Sequence, residues 1–324
     1  MTPLSDIAAI LRGAQRIGIA AHVRPDGDAV GSVLGLALSL RALGKTVHAL
    51  LEDGVPENLA FLPGAETILQ PAGPLDLDVA VALDTANYER LGAGVVEIFG
   101  KVPVLVNMDH HPTNPLYGHH NHIASDEPAA GQIVYELLSQ NGLPVDDGVR
   151  QNLFAAISTD TGSFQFASTT ARSHEIAAEM IRAGLDIARL SQLLYHTFPL
   201  RRLELQRAML NEMAFRAEGR IASWQLTQET QQRCGVRPGD TEGLIDTLRM
   251  IDSVVSAVVF EELKDGKVRV SARSKDSRLD VSAVCGQFGG GGHRMAAGAR
   301  LPGPIPAAAE TFLQALEHEV RRLS

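Results

Sequence analysis

At 324 residues, with 45% hydrophobic and 21% charged side chains, the chain is long enough for two domains that each bury a core. No apolar run reaches the length of a membrane span, and the opening MTPLSDIAAILRG lacks the basic start and cleavage pattern of a signal peptide. A net charge of −9 argues against a broad surface tracking long nucleic acid, but is compatible with a short anionic substrate held by a local group of cations. Cys234 and Cys285 form neither a disulfide framework nor a metal-finger spacing, as expected of reduced thiols in a cytoplasmic protein.

In chain order, RIGIAAH reads as a strand and DAVGSVLGLALSLRALG as a helix closed by Gly44. TVHALL, DVAVALD and VPVLVNMD follow as buried strands. Strands interleaved with helices predict a parallel sheet covered on both faces. From about residue 129 the pattern turns helical through AAGQIVYELLSQNG, VRQNLFAAIST, ARSHEIAAEMIRAG and IARLSQLLYHTF. RRLELQRAMLNEMAF reads as a helix joining two units. Beyond it, RIASWQL and SVVSAVVFEEL are strand-like, and KDGK turns the latter into KVRVSARSK as a hairpin. A helix DVSAVCGQF, a glycine run, a further strand and a closing helix AAAETFLQALEHEVRRL complete the chain. The expected fold is two α/β domains with a boundary near residues 186–205.

Three predicted strands end in acidic or histidine residues. RIGIAAH ends at His22 and runs into Asp26 and Asp28, DVAVALD ends at Asp84, and VPVLVNMD ends at Asp109 before His110 and His111. In an open parallel sheet the crevice outside the carboxyl ends of the strands is where ligands bind, so these groups can converge. Asp160, in AAISTDTGSF, is a fourth acid at the end of an apolar helical run. Taken singly, such an aspartate is a turn former or helix cap, and Asp28 is expected to cap a helix starting at Ala29. Taken together, Asp26, Asp28, Asp84 and Asp160 would repel one another in one crevice unless cations sit among them. Two divalent ions would balance the four carboxylates, with His22 and His110 as neutral imidazole donors. Carboxylate plus imidazole favours Mn²⁺, with Mg²⁺, Co²⁺ or Zn²⁺ as alternatives.

The segments HVRPDGDAVGS, ALDTAN, MDHH and STDTGSF, in that order, resemble the four motifs of the DHH phosphoesterase superfamily. SARSK followed by FGGGGHRMAAGA resembles its accessory DHHA1 domain. Within the superfamily, length and arrangement are similar to the bifunctional oligoribonuclease (nanoRNase) and pAp-phosphatase group. The resemblance implies a DHH metal-binding catalytic domain over residues 1–186, a linker-helix region over 187–205 and a smaller DHHA1 substrate-binding domain over 206–324. It implies that His22, Asp26 and Asp84 hold one metal, and that Asp28, Asp84, His110 and Asp160 hold the second, with Asp84 bridging. Asp109 would orient His110, and His111 would face the substrate phosphate or help proton transfer to the leaving oxygen. Arg273, Ser274, Gly292 and His293 would bind the phosphate and nucleotide end of the substrate. The expected activity is hydrolysis of very short RNA to mononucleotides and of pAp to AMP plus phosphate, in a protein that is a homodimer by analogy with the family. A phosphodiesterase of cyclic or linear dinucleotides is the second reading, and a nucleotide-binding regulator without catalysis the third.

GGGGH would be a linker if it stood alone, but it sits inside a patterned domain, where glycines let backbone N–H groups approach an anion. Arg294, beside it, reads as a solvated cation. GKT at Gly44–Thr46 lacks the earlier glycine of a P-loop, which falls on Ser39, and reads as a helix stop before a strand. GHHNH, with His119, His120 and His122, reads as a polar loop.

Overall fold

The computed structural model describes residues 1–237 and 239–323. They divide into two compact units, Met1–Thr197 and Phe198–Ser324. In the first unit, α1 (Leu4–Gly13) leads into β1 (Arg16–Ala20), α2 (Gly27–Ala42) and β2 (Thr46–Leu50). β3 (Val79–Leu83), α3 (Ala93–Phe99), β4 (Leu105–Asp109) and β5 (His120–Ile123) complete a five-stranded parallel sheet of order β2-β1-β3-β4-β5. Four helices follow: α4 (Ala130–Gln140), α5 (Asp147–Asp160), α6 (Ala171–Arg182) and α7 (Ile187–Tyr195).

Along β1 and β3, alternation sends large residues to one face and small ones to the other. Ile17, Ile19, Val79, Val81 and Val106 join a core with α2, α4 and α5, while Ala20, Ala80 and Ala82 pack under Val95, Ile98 and Phe99 of α3. Because both faces are covered, the strands read as unbroken apolar runs. α2 is buried on nearly every side. Its Gly31 permits the close approach of α5: a Cβ there would fall 2.4 Å from the Asn152 carbonyl oxygen.

GHHNH is not a loop. His120–Ile123 form β5, the edge strand of the sheet, which pairs in parallel with β4. The side chains alternate without an apolar face, so periodicity gives no sign of a strand. The segment is held instead by polar bonds. His119 Nδ1 accepts the Leu105 N–H at 2.8 Å, and Asn121 Oδ1 accepts from Asn107 and Gly118.

In the second unit, α8 (Leu200–Glu212) precedes β6 (Ala214–Arg216), β7 (Ile221–Leu226), α9 (Gln228–Cys234) and α10 (Leu244–Arg249). β8 (Ser256–Glu262), β9 (Lys267–Ser274), α11 (Val281–Gly286), β10 (Gly291–His293), β11 (Ala296–Pro302) and α12 (Ile305–Arg321) follow. The six strands form a mixed sheet of order β10-β11-β9-β8-β7-β6, in which only β7 and β8 pair in parallel. One face packs on α11 and α12 through Val258, Phe260, Val270 and Phe312. The other packs on α8, α9 and α10 around the buried Trp224. The glycine run therefore ends in an edge strand rather than a spacer. Among the described residues, no helix is long and apolar enough to cross a membrane.

Candidate metal centre

The chain passes from β1 outward to β2, then back across β1 to β3, so the connections after β1 and β3 diverge and leave a crevice at their carboxyl ends. His22 lies just beyond β1. Its Nδ1 donates to the Val23 carbonyl at 2.9 Å, which leaves Nε2 facing Asp84 Oδ2 at 3.3 Å and Asp26 Oδ2 at 3.7 Å. Asp84 follows β3 with φ at 50°, a left-handed backbone that aspartate tolerates better than most residues. Its other oxygen, Oδ1, stands 3.3 Å from His110 Nε2, and His110 Nε2 is 3.6 Å from Asp160 Oδ2. One buried carboxylate thus turns an oxygen to each of two histidines.

The cap of α2 is Asp26, not Asp28. Asp26 Oδ1 accepts the backbone N–H groups of Asp28 and Ala29, both at 3.1 Å, and its Oδ2 is left facing the crevice. The helix begins two residues earlier than the sequence suggests, so Asp28 falls inside its first turn. Buried there, Asp28 accepts from the N–H groups of Ala130 and Gly131 and from the Ser32 hydroxyl, at 2.7–2.9 Å. The first turn of α4, whose own Ala129 supplies no side-chain cap, is thereby capped by a residue from α2. Asp160, the last residue of α5, is half-buried.

Among the described residues three sets of donor atoms each lie within 4.8 Å of one another: His22 with Asp26 and Asp84, Asp28 with His110 and Asp160, and Asp84 with Asp109, His110 and His111. Neighbouring donors around one ion at about 2.1 Å stand about 3 Å apart. The separations of 3.3–3.7 Å close on a cation with small side-chain movements. Protonation states agree with the donor set. Burial alone would depress both imidazoles, but Asp26 and Asp84 hold His22 well above its ordinary value, and Asp84, with Asp160 and Asp28, pushes His110 up to about 10. Burial, then the charges of Asp84 and Asp160, drives Asp28 well above the carboxylate range. Burial outweighs the pull of His110 and raises Asp160 to about 7. Asp84 is desolvated too, yet its bonds to His110 and His22 keep it far below that range, and the His22 bond lowers Asp26 likewise. Without cations, the cluster holds protons in their place.

Asp109 is fully buried at the end of β4. Its Oδ1 lies 2.7 Å from His111 Nδ1 and also accepts the His110 backbone N–H at 2.9 Å. Two residues on, the chain turns back and brings the second imidazole to the same carboxylate. Asn114, which sequence reasoning missed, holds the far oxygen. Its Nδ2 donates to Asp109 Oδ2 at 2.7 Å and to the Thr85 carbonyl, and its Oδ1 accepts from Asn107 and from the Leu116 N–H. All its hydrogen-bonding capacity is used, tying the Asp84–Thr85 turn to the Asp109–His111 pair. The only sequence sign is an asparagine shortly after the histidines.

In the second unit, Arg273 is half-buried near the end of β9. It makes no ion pair among the described residues, and Nη1 donates to its own neighbour's carbonyl, Ala272, at 3.1 Å. Ser274 does not fit a substrate contact: it is fully buried, and its hydroxyl donates to the Asp276 carbonyl and accepts the Asp276 N–H, closing the turn after the strand. Gly292 has φ at 143°, and a Cβ there would meet the Ala296 carbonyl at 2.6 Å, so only glycine fits the hairpin. His293 is exposed at the end of β10. Arg294 is not simply solvated, since its Nε donates to the Ser277 carbonyl at 2.6 Å.

The sequence pattern of the DHH family N-terminal domain matches residues 16–157, and that of the DHHA1 domain matches residues 228–322. The bifunctional oligoribonuclease and PAP phosphatase NrnA of Thermus thermophilus is 33% identical over 98% of this chain and 94% of its own length. The chain belongs to the DHH family, in its DHHA1-bearing form. The DHH protein of the same name from Bacillus subtilis is 29% identical, over 86% of this chain and 87% of its own. An exopolyphosphatase-related protein from Bacteroides fragilis superposes with a TM-score of 0.88 at 25% identity, covering 97% of this chain and 95% of that one.

Proposed function

We propose that the chain is a metal-dependent phosphoesterase that hydrolyses very short RNA to mononucleotides and pAp to AMP plus phosphate. The observation that carries this is the Asp84 carboxylate, one oxygen facing His22 and the other His110, each with further aspartates at hand. The names of its DHH relatives, bifunctional oligoribonuclease and PAP phosphatase, supply the substrate class. Under this reading His22, Asp26 and Asp84 hold one divalent cation, and Asp28, Asp84, His110 and Asp160 the other. Mn²⁺ suits the mixed imidazole and carboxylate donors best. Two such ions, when bound, make a water acidic enough to attack phosphorus and neutralise the charge on the phosphoryl oxygens.

The protein's own groups do the rest. Asp109, clamped by Asn114, fixes the His111 ring at the cluster, where it contacts the phosphate or passes a proton to the departing ribose oxygen. Arg273, Gly292 and His293 bind the anionic nucleotide end. Arg273 makes no ion pair among the described residues, and Gly292 keeps the backbone of its strand free of side chain. The overall charge of −9 weighs against long nucleic acid as a substrate.

The test compares initial rates on the ribodinucleotide ApA, on pAp and on cyclic di-AMP, with Mn²⁺ and with a chelator. Hydrolysis of the first two, abolished by the chelator and faster than that of the cyclic compound, is expected. Preference for cyclic di-AMP would replace the substrate assignment, and inertness on all three would favour a nucleotide-binding regulator.

A further inference from the structure

Alternation divides β9 and β11 of the second sheet between two faces. Val270 and Ala272 of β9, with Ala297 and Ala299 of β11, are buried in the core that holds α11 and α12. Ser271, Arg273, Ala296, Gly298 and Arg300 alternate with these residues, so they belong to the opposite face, where none is fully buried. The apolar cluster beneath α8, α9 and α10 covers that face over β7 and β8. Among the described residues it takes none from β9, β11 or β10.

The register fixes what lies on this open part of the sheet. His293, Ala296 and Arg273 stand in one row across three strands, and residues directly opposite share a face. The next row on the same face is Gly291, Gly298 and Ser271, so the floor there carries almost no side chain. One row further, Arg300 stands directly opposite Arg269. Like charges so placed are destabilising. Arg269 is relieved from its other side by an ion pair with Glu261. Arg300 is exposed, and its guanidinium has no hydrogen bond or ion pair among the described residues. A bare floor thus has Arg273 and His293 at one end and an unpaired cation at the other, with about 14 Å of strand from Ala296 to Arg300.

We propose that Arg300 binds a phosphate of the RNA beyond the nucleotide end held by Arg273 and His293, and so sets how tightly oligonucleotides are held relative to dinucleotides. This rests on the phosphoesterase reading above and adds to it how substrate length is sensed. Glycine and alanine let a strand lie close to the sheet, and a phosphate contact holds it whatever its sequence. The span between the two ends exceeds the gap between neighbouring phosphates of one strand. The phosphate that meets Arg300 therefore exists only in substrates longer than pAp or a dinucleotide.

The experiment measures KM and kcat with Mn²⁺ on pAp and on oligoadenylates from two to five nucleotides long, for the wild-type protein, Arg300→Ala, Arg300→Lys and Arg300→Glu. In Arg300→Ala the ratio of KM for the pentanucleotide to KM for pAp rises about fivefold, with the loss in KM rather than kcat. Arg300→Lys keeps most of the wild-type ratio, and Arg300→Glu raises it further than alanine does. The loss emerges only as the chain lengthens. The slope of log KM against log salt for the pentanucleotide falls by about 0.7 in Arg300→Ala, the counterion release of one phosphate contact on a single strand. An equal rise in KM for pAp and for every length, or an unchanged ratio and slope, would overturn the distal contact while leaving the phosphoesterase reading intact. A wild-type protein inert on pAp and on all the oligoadenylates would overturn both.

Discussion

In the first unit the reactive groups are sunk at the carboxyl ends of a sheet covered on both faces: His22 is 6% exposed, Asp84 3% and Asp109 0%. In the second unit the glycine strand β10 and its His293 lie exposed at the sheet's edge, and Arg273 is half-buried, with no ion pair among the described residues. The buried groups fix one another, carboxylate against imidazole and asparagine against carboxylate, so their geometry is settled before any ligand arrives. The second set is more open, and the anion-binding role proposed for it depends on that access. The contrast separates a constellation whose spacing matters from a surface whose accessibility matters.

Substitution at each place should sharpen or break that contrast. Asp84→Asn keeps the shape of the side chain and tolerates the left-handed backbone, yet removes the shared charge. We expect a loss of roughly 10³-fold or more in kcat/KM, with Mn²⁺ binding measured by calorimetry lost in parallel. Activity within tenfold of wild type would show that the buried cluster is not the reacting centre. Arg273→Ala should act more mildly and differently, raising KM for pAp about tenfold while kcat changes little. An equal fall in kcat would place Arg273 among the groups that act on the transition state, and the distinction between the units would fail.

The smallest effect is on stability. His110 is raised to about 10 and Asp160 to about 7, so the folded protein binds more protons than the unfolded chain between these values and their ordinary ones. The His110 contribution is complete below about pH 6.5 and is lost as pH rises toward 10. The Asp160 carboxyl likewise favours the folded state at low pH, and this is lost as pH climbs from about 4 through 7. The metal-free protein should therefore melt a few °C lower at pH 8.5 than at pH 5.5. Added Mn²⁺ should reverse the order, because deprotonated donors bind the cation. A melting point in chelator that rises with pH would contradict the proton-filled cluster.

Much of this arrangement was legible in the sequence. Strands buried on both faces leave unbroken apolar runs, and charged residues at the ends of three such runs in a parallel sheet point to one crevice. β5 was not legible, because His120, Asn121 and His122 carry no apolar alternation and the strand is registered by polar bonds. Nor was α9, where the mostly polar Gln228–Cys234 buries little besides Thr230 and Cys234. Asn114 was hidden for a different reason: its importance lies in four hydrogen bonds to groups on neighbouring loops and strands, which no spacing encodes. Ser274 was overread, since a motif position says nothing about whether a hydroxyl is already spent on a turn.

The close contact of α2 with α5 at Gly31 acts as a ruler. Asp28 rides in the first turn of one helix and Asp160 ends the other, so the distance separating these two carboxylates is inherited from how tightly the helices lie together. A single methyl group added at Gly31, one turn beyond Asp28, would pry the acids apart and detune the crevice from behind.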